Sequence, residues 1–133
     1  MNKTKIEYLT HTWSPIAMRC TPVSAGCANC WHLRMANRLA GNWAFPPEVR
    51  DAYAGEGPPV LVKYRLDEPL RCKKPAVVGV QFMGDLFYED VPFEFIEQIY
   101  GVMAEAKHHT FQVLLCDFDE HFRVVYLNAI DFN

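Results

Sequence analysis

"AVVGVQFMGDLFYEDVPFEFIEQIYGVMAEAKHHTFQVLL", residues 76–115, decides the fold. Its first eight residues, 76–83, are nearly all apolar and do not alternate, the signature of a strand covered on both faces. "GDLFYED" reads as a loop. Asp90 or Val91 is the expected cap of a helix that takes Pro92 in its first turn. Ile96, Ile99, Met103 and Ala106 recur at helical spacing and predict the buried face, leaving Glu94, Glu97, Gln98 and Glu105 outside. "TFQVLL", residues 110–115, predicts a second buried strand. Strand, helix and buried strand make a βαβ unit, whose crossover is right-handed. The expected fold class is therefore α/β, built on a parallel sheet.

Upstream, residues 10–18 predict another strand, bent or weakened at Pro15. A loop carrying three cysteines follows. From Cys30 to about Ala40, Trp31, Met35 and Leu39, together with Ala36 and Ala40, fall at helical spacing, with Arg34, Asn37 and Arg38 opposite. Gly41-Asn42 stops that helix. Residues 42–75, punctuated by prolines and glycines, read as an irregular insert holding a short helix near 47–53 and a short strand near 60–64. After Cys116 the chain reads "DFDEHFRVVYLNAIDFN", with one short apolar run, and this 115–133 tail is expected to pack poorly. No internal repeat or low-complexity tract is present, and the 133 residues read as a single domain.

Half of the residues are hydrophobic and 22% are charged, a globular composition. The net charge of −3 gives no basic field for nucleic acid or an anionic membrane surface, which disfavours both as partners. No apolar run approaches the roughly 20 residues that span a bilayer. "MNKTKIEYLTHTW" lacks the apolar core of a signal peptide, so the expected location is the cytoplasm.

In that reducing compartment the five cysteines, Cys20, Cys27, Cys30, Cys72 and Cys116, are poor candidates for a disulfide framework. Cys116 sits in an apolar run and reads as a small buried hydrophobe. Cys72, among basic residues, reads as an exposed loop thiol. The three cysteines of the first loop, spaced C-x6-C-x2-C, have two chemical readings. A structural zinc ion needs a fourth ligand, for which His32, His11 and Cys72 are the candidates. An iron–sulfur cluster held by three thiolates leaves one iron open to a small molecule. The place fits the second: in parallel α/β folds, ligand chemistry sits on loops at the carboxyl ends of strands. The start of the helix after Cys30 would favour an anionic cluster.

"HTWSP", then "CTPVSAGCANCW-x-x-RMA-x-R", then "GDLFYEDVP" and "HTFQVL", occur in the order of a phage-encoded family of three-Cys-motif proteins of unknown function, which this chain resembles from about Ile6 to Leu114. That family is distantly similar to the radical S-adenosylmethionine enzymes. The resemblance implies a phage or prophage protein of a bacterial cytoplasm, with the first half of a partial TIM barrel. It also implies a [4Fe–4S] cluster on Cys20, Cys27 and Cys30, and S-adenosylmethionine as cofactor. The radical enzymes space their cysteines C-x3-C-x2-C, where this chain has a first gap of six. Trp31 stands where the family has Tyr. After Leu114 the family continues "TKRP" for another hundred or so residues. This chain diverges there, which implies a truncated form with weak or absent activity. The alternative is a non-catalytic zinc-knuckle module binding a protein or nucleic-acid partner, the acidic net charge making the nucleic-acid form the weaker.

In the radical enzymes a Gly-rich, acid-containing motif receives the methionyl amino group, and Gly84 and Asp85 match it by resemblance. The plain alternative is a strand-to-loop turn capped by Asp85. His108 and His109, adjacent at a strand entry, are expected to point apart and to be loop residues. Trp13 reads as core, although with His11 it could wall a cofactor pocket. Arg34 and Arg38 share a helical face and read as solvated. The substrate is not legible.

Overall fold

A computed structural model describes residues 1–21, 27, 29–116 and 122–127, with side chains described through residue 113. Among the described residues the elements run β1 (Asn2–Lys3), β2 (His11–Trp13), β3 (Ile16–Ala17), α1 (Trp31–Ala40), α2 (Pro47–Ala54), β4 (Val60–Leu61), α3 (Lys63–Leu66), α4 (Glu68–Arg71), β5 (Val77–Val80), α5 (Phe93–Glu105), β6 (Thr110–Cys116) and β7 (Phe122–Leu127). Five strands form one sheet in the order β1-β2-β5-β6-β7, and β3 pairs β4 apart from it.

The three inner strands are parallel, with Trp13 opposite Val80 and Val80 opposite Val113. β5 sits at the centre because its valines can be covered: Val78 and Val80 are fully buried against the α5 side. Gly79 faces the other way, where a Cβ would stand 2.6 Å from the Leu9 Cδ1, so Leu9 packs directly on bare backbone. The βαβ unit read from residues 76–115 is present. Ile99 and Met103 of α5 and Ala106, its C-cap, bury against the sheet with Trp13 and Phe111, and Ile96 packs at the edge of that core. A smaller core joins Ala36 of α1 to Val49, Ala52 and Tyr53 of α2 and to Ala17 and Val62.

Four expectations change. The predicted 10–18 strand is two pieces, broken at Ser14-Pro15, as proline in a ladder requires. The 76–83 strand ends at Val80, because Gln81 takes a left-handed backbone with φ 52°. Pro92 itself holds the N-cap position of α5, with no side-chain cap bond, instead of Asp90 or Val91. The sheet is not parallel throughout, because β1 and β7 pair antiparallel at its edges. Residues 122–127, rich in β-branched and aromatic side chains, lie along all of β6, from Phe111 opposite Leu127 to Cys116 opposite Phe122. The tail therefore contributes an edge strand. How its side chains pack, and the surroundings of Cys116, fall outside the described residues. Among the described residues the sheet is open and closes no barrel.

Candidate functional site

Parallel strands bring their carboxyl ends to one rim. β2 continues through β3 to Met18, Arg19 and Cys20, and β5 continues through Gln81 to Gly84 and Asp85. Three contacts tie these exits together. The fully buried Gln81 side-chain amide accepts from the Ile16 N–H at 3.1 Å and donates to the Ile16 carbonyl at 2.9 Å, as a neighbouring strand would. The same amide donates to the Met83 carbonyl at 2.9 Å. Gly84 has φ +125°, and a Cβ there would stand 2.8 Å from the Met18 Sδ, so this backbone approach needs glycine. The Tyr88 hydroxyl donates to Thr21 Oγ1 at 3.0 Å and accepts from the Thr21 N–H at 3.3 Å. Thr21 adjoins Cys20. The cysteine loop and the Gly84-Asp85 loop thus meet at the same end of the sheet.

Cys20, Cys27 and Cys30 are all half-buried. The Cys30 N–H donates to the Cys27 carbonyl at 3.1 Å, and Cys30 immediately precedes α1. Residues 22–26 and 28 lie outside the described residues. Among the described residues, no three His, Cys, Asp or Glu side chains gather closely enough to hold a metal ion. His32 is 4% exposed, and its Nε2 accepts from the Cys20 N–H at 3.4 Å. Burial, and then the nearby Arg19 charge, push the His32 pKa down, so the ring stays neutral. Its Nδ1 has no hydrogen-bond partner. Asp85 is half-buried, and burial raises its carboxyl pKa against the opposing pull of the Phe87 N–H, which donates to Oδ1 at 3.0 Å. Among the described residues that N–H is the one donor to Asp85, and a desolvated carboxylate so placed favours an added cation.

Other singled-out residues lie elsewhere. Cys72 is half-buried before β5, where its carbonyl accepts from His108 Nε2, and His11 opens β2. Both are at the amino ends of the strands, so neither can complete a site on the cysteine loop. A cavity of about 670 Å³ at that end is lined by His11, Cys72 and charges that already pair with one another: Arg71 with Asp67, and the Met1 ammonium with Glu68. Trp13 is core at 1% exposure, its indole N–H donating to the Arg65 carbonyl at 2.7 Å. Arg34 and Arg38 are exposed, as expected.

The histidine pair departs from expectation. The two rings lie against each other, centroids 3.9 Å apart and tilted by 44°. His109 is buried, and its Nδ1 accepts from the Ala76 N–H at 3.1 Å while its Nε2 faces the Pro69 carbonyl at 2.8 Å. It ties the insert to the start of β5. The two residues precede β6, so strand alternation does not govern them. Sequence reasoning also missed Gln81, Tyr88 and Arg19, which reaches from the cysteine loop to Asn37 of α1 and the Tyr53 carbonyl of α2. A polar Gln inside an apolar strand run was the one visible signal.

Residues 3–126 match the family described as "Protein of unknown function (DUF5131)". The chain belongs to this family. The match includes the cysteine loop, the Gly84-Asp85 turn and all three parallel strands. No curated protein and no solved structure matches the chain. Among the described residues of this DUF5131 member, no helix is long and apolar enough to cross a membrane.

Proposed function

We propose that this chain is a radical S-adenosylmethionine-type protein in which Cys20, Cys27 and Cys30 hold a [4Fe–4S] cluster. Gly84 and Asp85 would receive the methionyl amino group. The observation that carries the reading is the meeting of the two loops through Tyr88–Thr21 and Met18–Gly84 at the carboxyl ends of β2 and β5. The donor set fits in kind: three thiolates from one short segment suit a cluster with one open iron. Bound, such a cluster supplies one electron to the cofactor's sulfonium. The chain's own part is binding and orientation. Asp85, short of compensating donors, accepts from an ammonium. Gly84 lets the backbone approach, and Gln81 fixes the exit of β5.

Anaerobic reconstitution of the full chain with iron and sulfide tests this. About four irons and four sulfides per chain are expected, lost on Cys20→Ser, Cys27→Ser or Cys30→Ser. Asp85→Asn should keep the cluster and weaken cofactor binding. Stoichiometric zinc with no sulfide overturns the reading.

A second reading has one observation in its favour. In a zinc-knuckle module that binds a protein partner, His32, neutral and beside Cys20, would be the fourth ligand once its Nε2 gives up the Cys20 N–H. Zinc at one per chain, lost on His32→Ala, would select it.

A further inference from the structure

A cavity of about 560 Å³ lies between α1, the β5 exit and the carboxyl end of β2. Trp31, Met35 and Leu39 of α1 line it together with Phe82 and Met83, and hydroxyls come from Thr12 of β2 and from Ser14 just beyond it. We propose that this cavity binds a neutral, flat aromatic compound carrying a hydrogen-bonding group such as a hydroxyl.

Its size lies within the roughly 300–1,000 Å³ of small-molecule sites, which are mostly apolar with a few placed polar groups. No charged side chain lines it among the described residues, so a phosphate or carboxylate would find no counter-ion there. Residues 31, 35 and 39 lie four apart, so their side chains make a straight apolar ridge about 12 Å long. A ridge of that length in a cavity also lined by the Phe82 ring suits two or three fused rings. Trp31 keeps 45% of its surface exposed, whereas α1 buries His32 and Ala36 instead. An indole left at a cavity mouth offers stacking area at little conformational cost. Thr12 and Ser14 are both half-buried in the lining, and a hydroxyl can donate to and accept from a ligand.

The cavity also touches both halves of the proposed cofactor site. Trp31 follows Cys30, and Phe82 and Met83 precede Gly84. Its use as the substrate seat rests on the cluster reading above, but its binding chemistry does not.

Equilibrium dialysis of the purified full chain, without metal, against 2-naphthol, naphthalene, naphthalene-2-sulfonate and cyclohexanol tests the inference. 2-Naphthol should bind, with the sulfonate and cyclohexanol each at least about tenfold weaker. Trp31→Ala should weaken 2-naphthol about tenfold and Trp31→Phe should largely retain it. Thr12→Val with Ser14→Ala should weaken 2-naphthol severalfold and leave naphthalene unchanged. No binding of 2-naphthol, equal binding of the sulfonate or cyclohexanol, or indifference to Trp31→Ala overturns the proposal. Should Trp31→Ala not fold, the hydroxyl variants and the four-probe comparison decide alone. Naphthol binding without cluster assembly would strike only the cluster reading, and a cluster without naphthol binding would strike only this one.

Discussion

Gln81 holds the rim together with a single side chain. Its amide satisfies both the N–H and the carbonyl of buried Ile16, from a backbone that only an unusual φ of 52° allows. Gln81→Leu keeps the bulk and orphans both groups, each worth about 1–3 kcal/mol when buried unpaired. We expect a loss of about 2–4 kcal/mol, read as a lower urea midpoint at unchanged slope. An unchanged midpoint would show that the amide does not carry the junction. Titration acts at the same scale. The His32 and His109 pKa values are both lowered, in each case first by burial. Folded values below the unfolded one mean that the unfolded chain binds more protons as pH falls below about 6.5. Stability should be full above that pH and decline below it as the folded values are approached. Melting curves from pH 7.5 to 5 should show this, with His109→Gln flattening the decline. A melting temperature that rises on acidification would contradict it.

Among the elements, α1 shows what periodicity can and cannot say. Its residues form two neighbouring apolar stripes, one through Trp31, Met35 and Leu39 and one through Ala36 and Ala40. The spacing established the helix but could not say which stripe finds a partner. α2 packs on Ala36, with Leu39 and Ala40 at the edge of that core, and Trp31, Met35 and the rest of Leu39 line a cavity. The β5 strand and α5 were legible because burial on both faces and a 3.6-residue repeat each leave a direct trace. The ends were not: the strand stops where a Gln side chain substitutes for a strand, a tertiary event. Between elements, the Tyr88–Thr21 pair is the exposed tie of the two loops. Tyr88→Phe should cost only about 1 kcal/mol yet loosen the cysteine loop. Labelling by a thiol reagent should then speed up severalfold at Cys20 and Cys30. Cys72, at the far end of the sheet, serves as an internal reference and should not change. Equal acceleration at Cys72 would mean general loosening instead.

At the scale of the whole molecule, the order of strands decides what is rigid and what is not. β5 is paired on both sides and carries Val78 and Val80, which are fully buried, whereas β1 offers two exposed residues to one neighbour. The parallel place of β2 followed from the crossover rule alone. The other two parallel strands, β5 and β6, were readable from their apolar runs, since helices must cover both faces of such strands. The antiparallel edges were not, because the same β-prone run can pair in either direction, and the long-range connection, not the run, chooses. Opening β5 requires breaking the main core, while β1 can fray alone. Amide hydrogen exchange should therefore be slowest at Val78, Val80, Phe111 and Val113, and fast at Asn2 and Lys3. The rim should fall between, with Gln81, whose N–H donates to the Trp13 carbonyl at 2.8 Å, grouped with the core. If Gln81 exchanged as fast as β1, the two loops would be joined only by the exposed Tyr88 contact and the Met18–Gly84 packing among the described residues. A site shared between Cys20 and Asp85 would then have no rigid base.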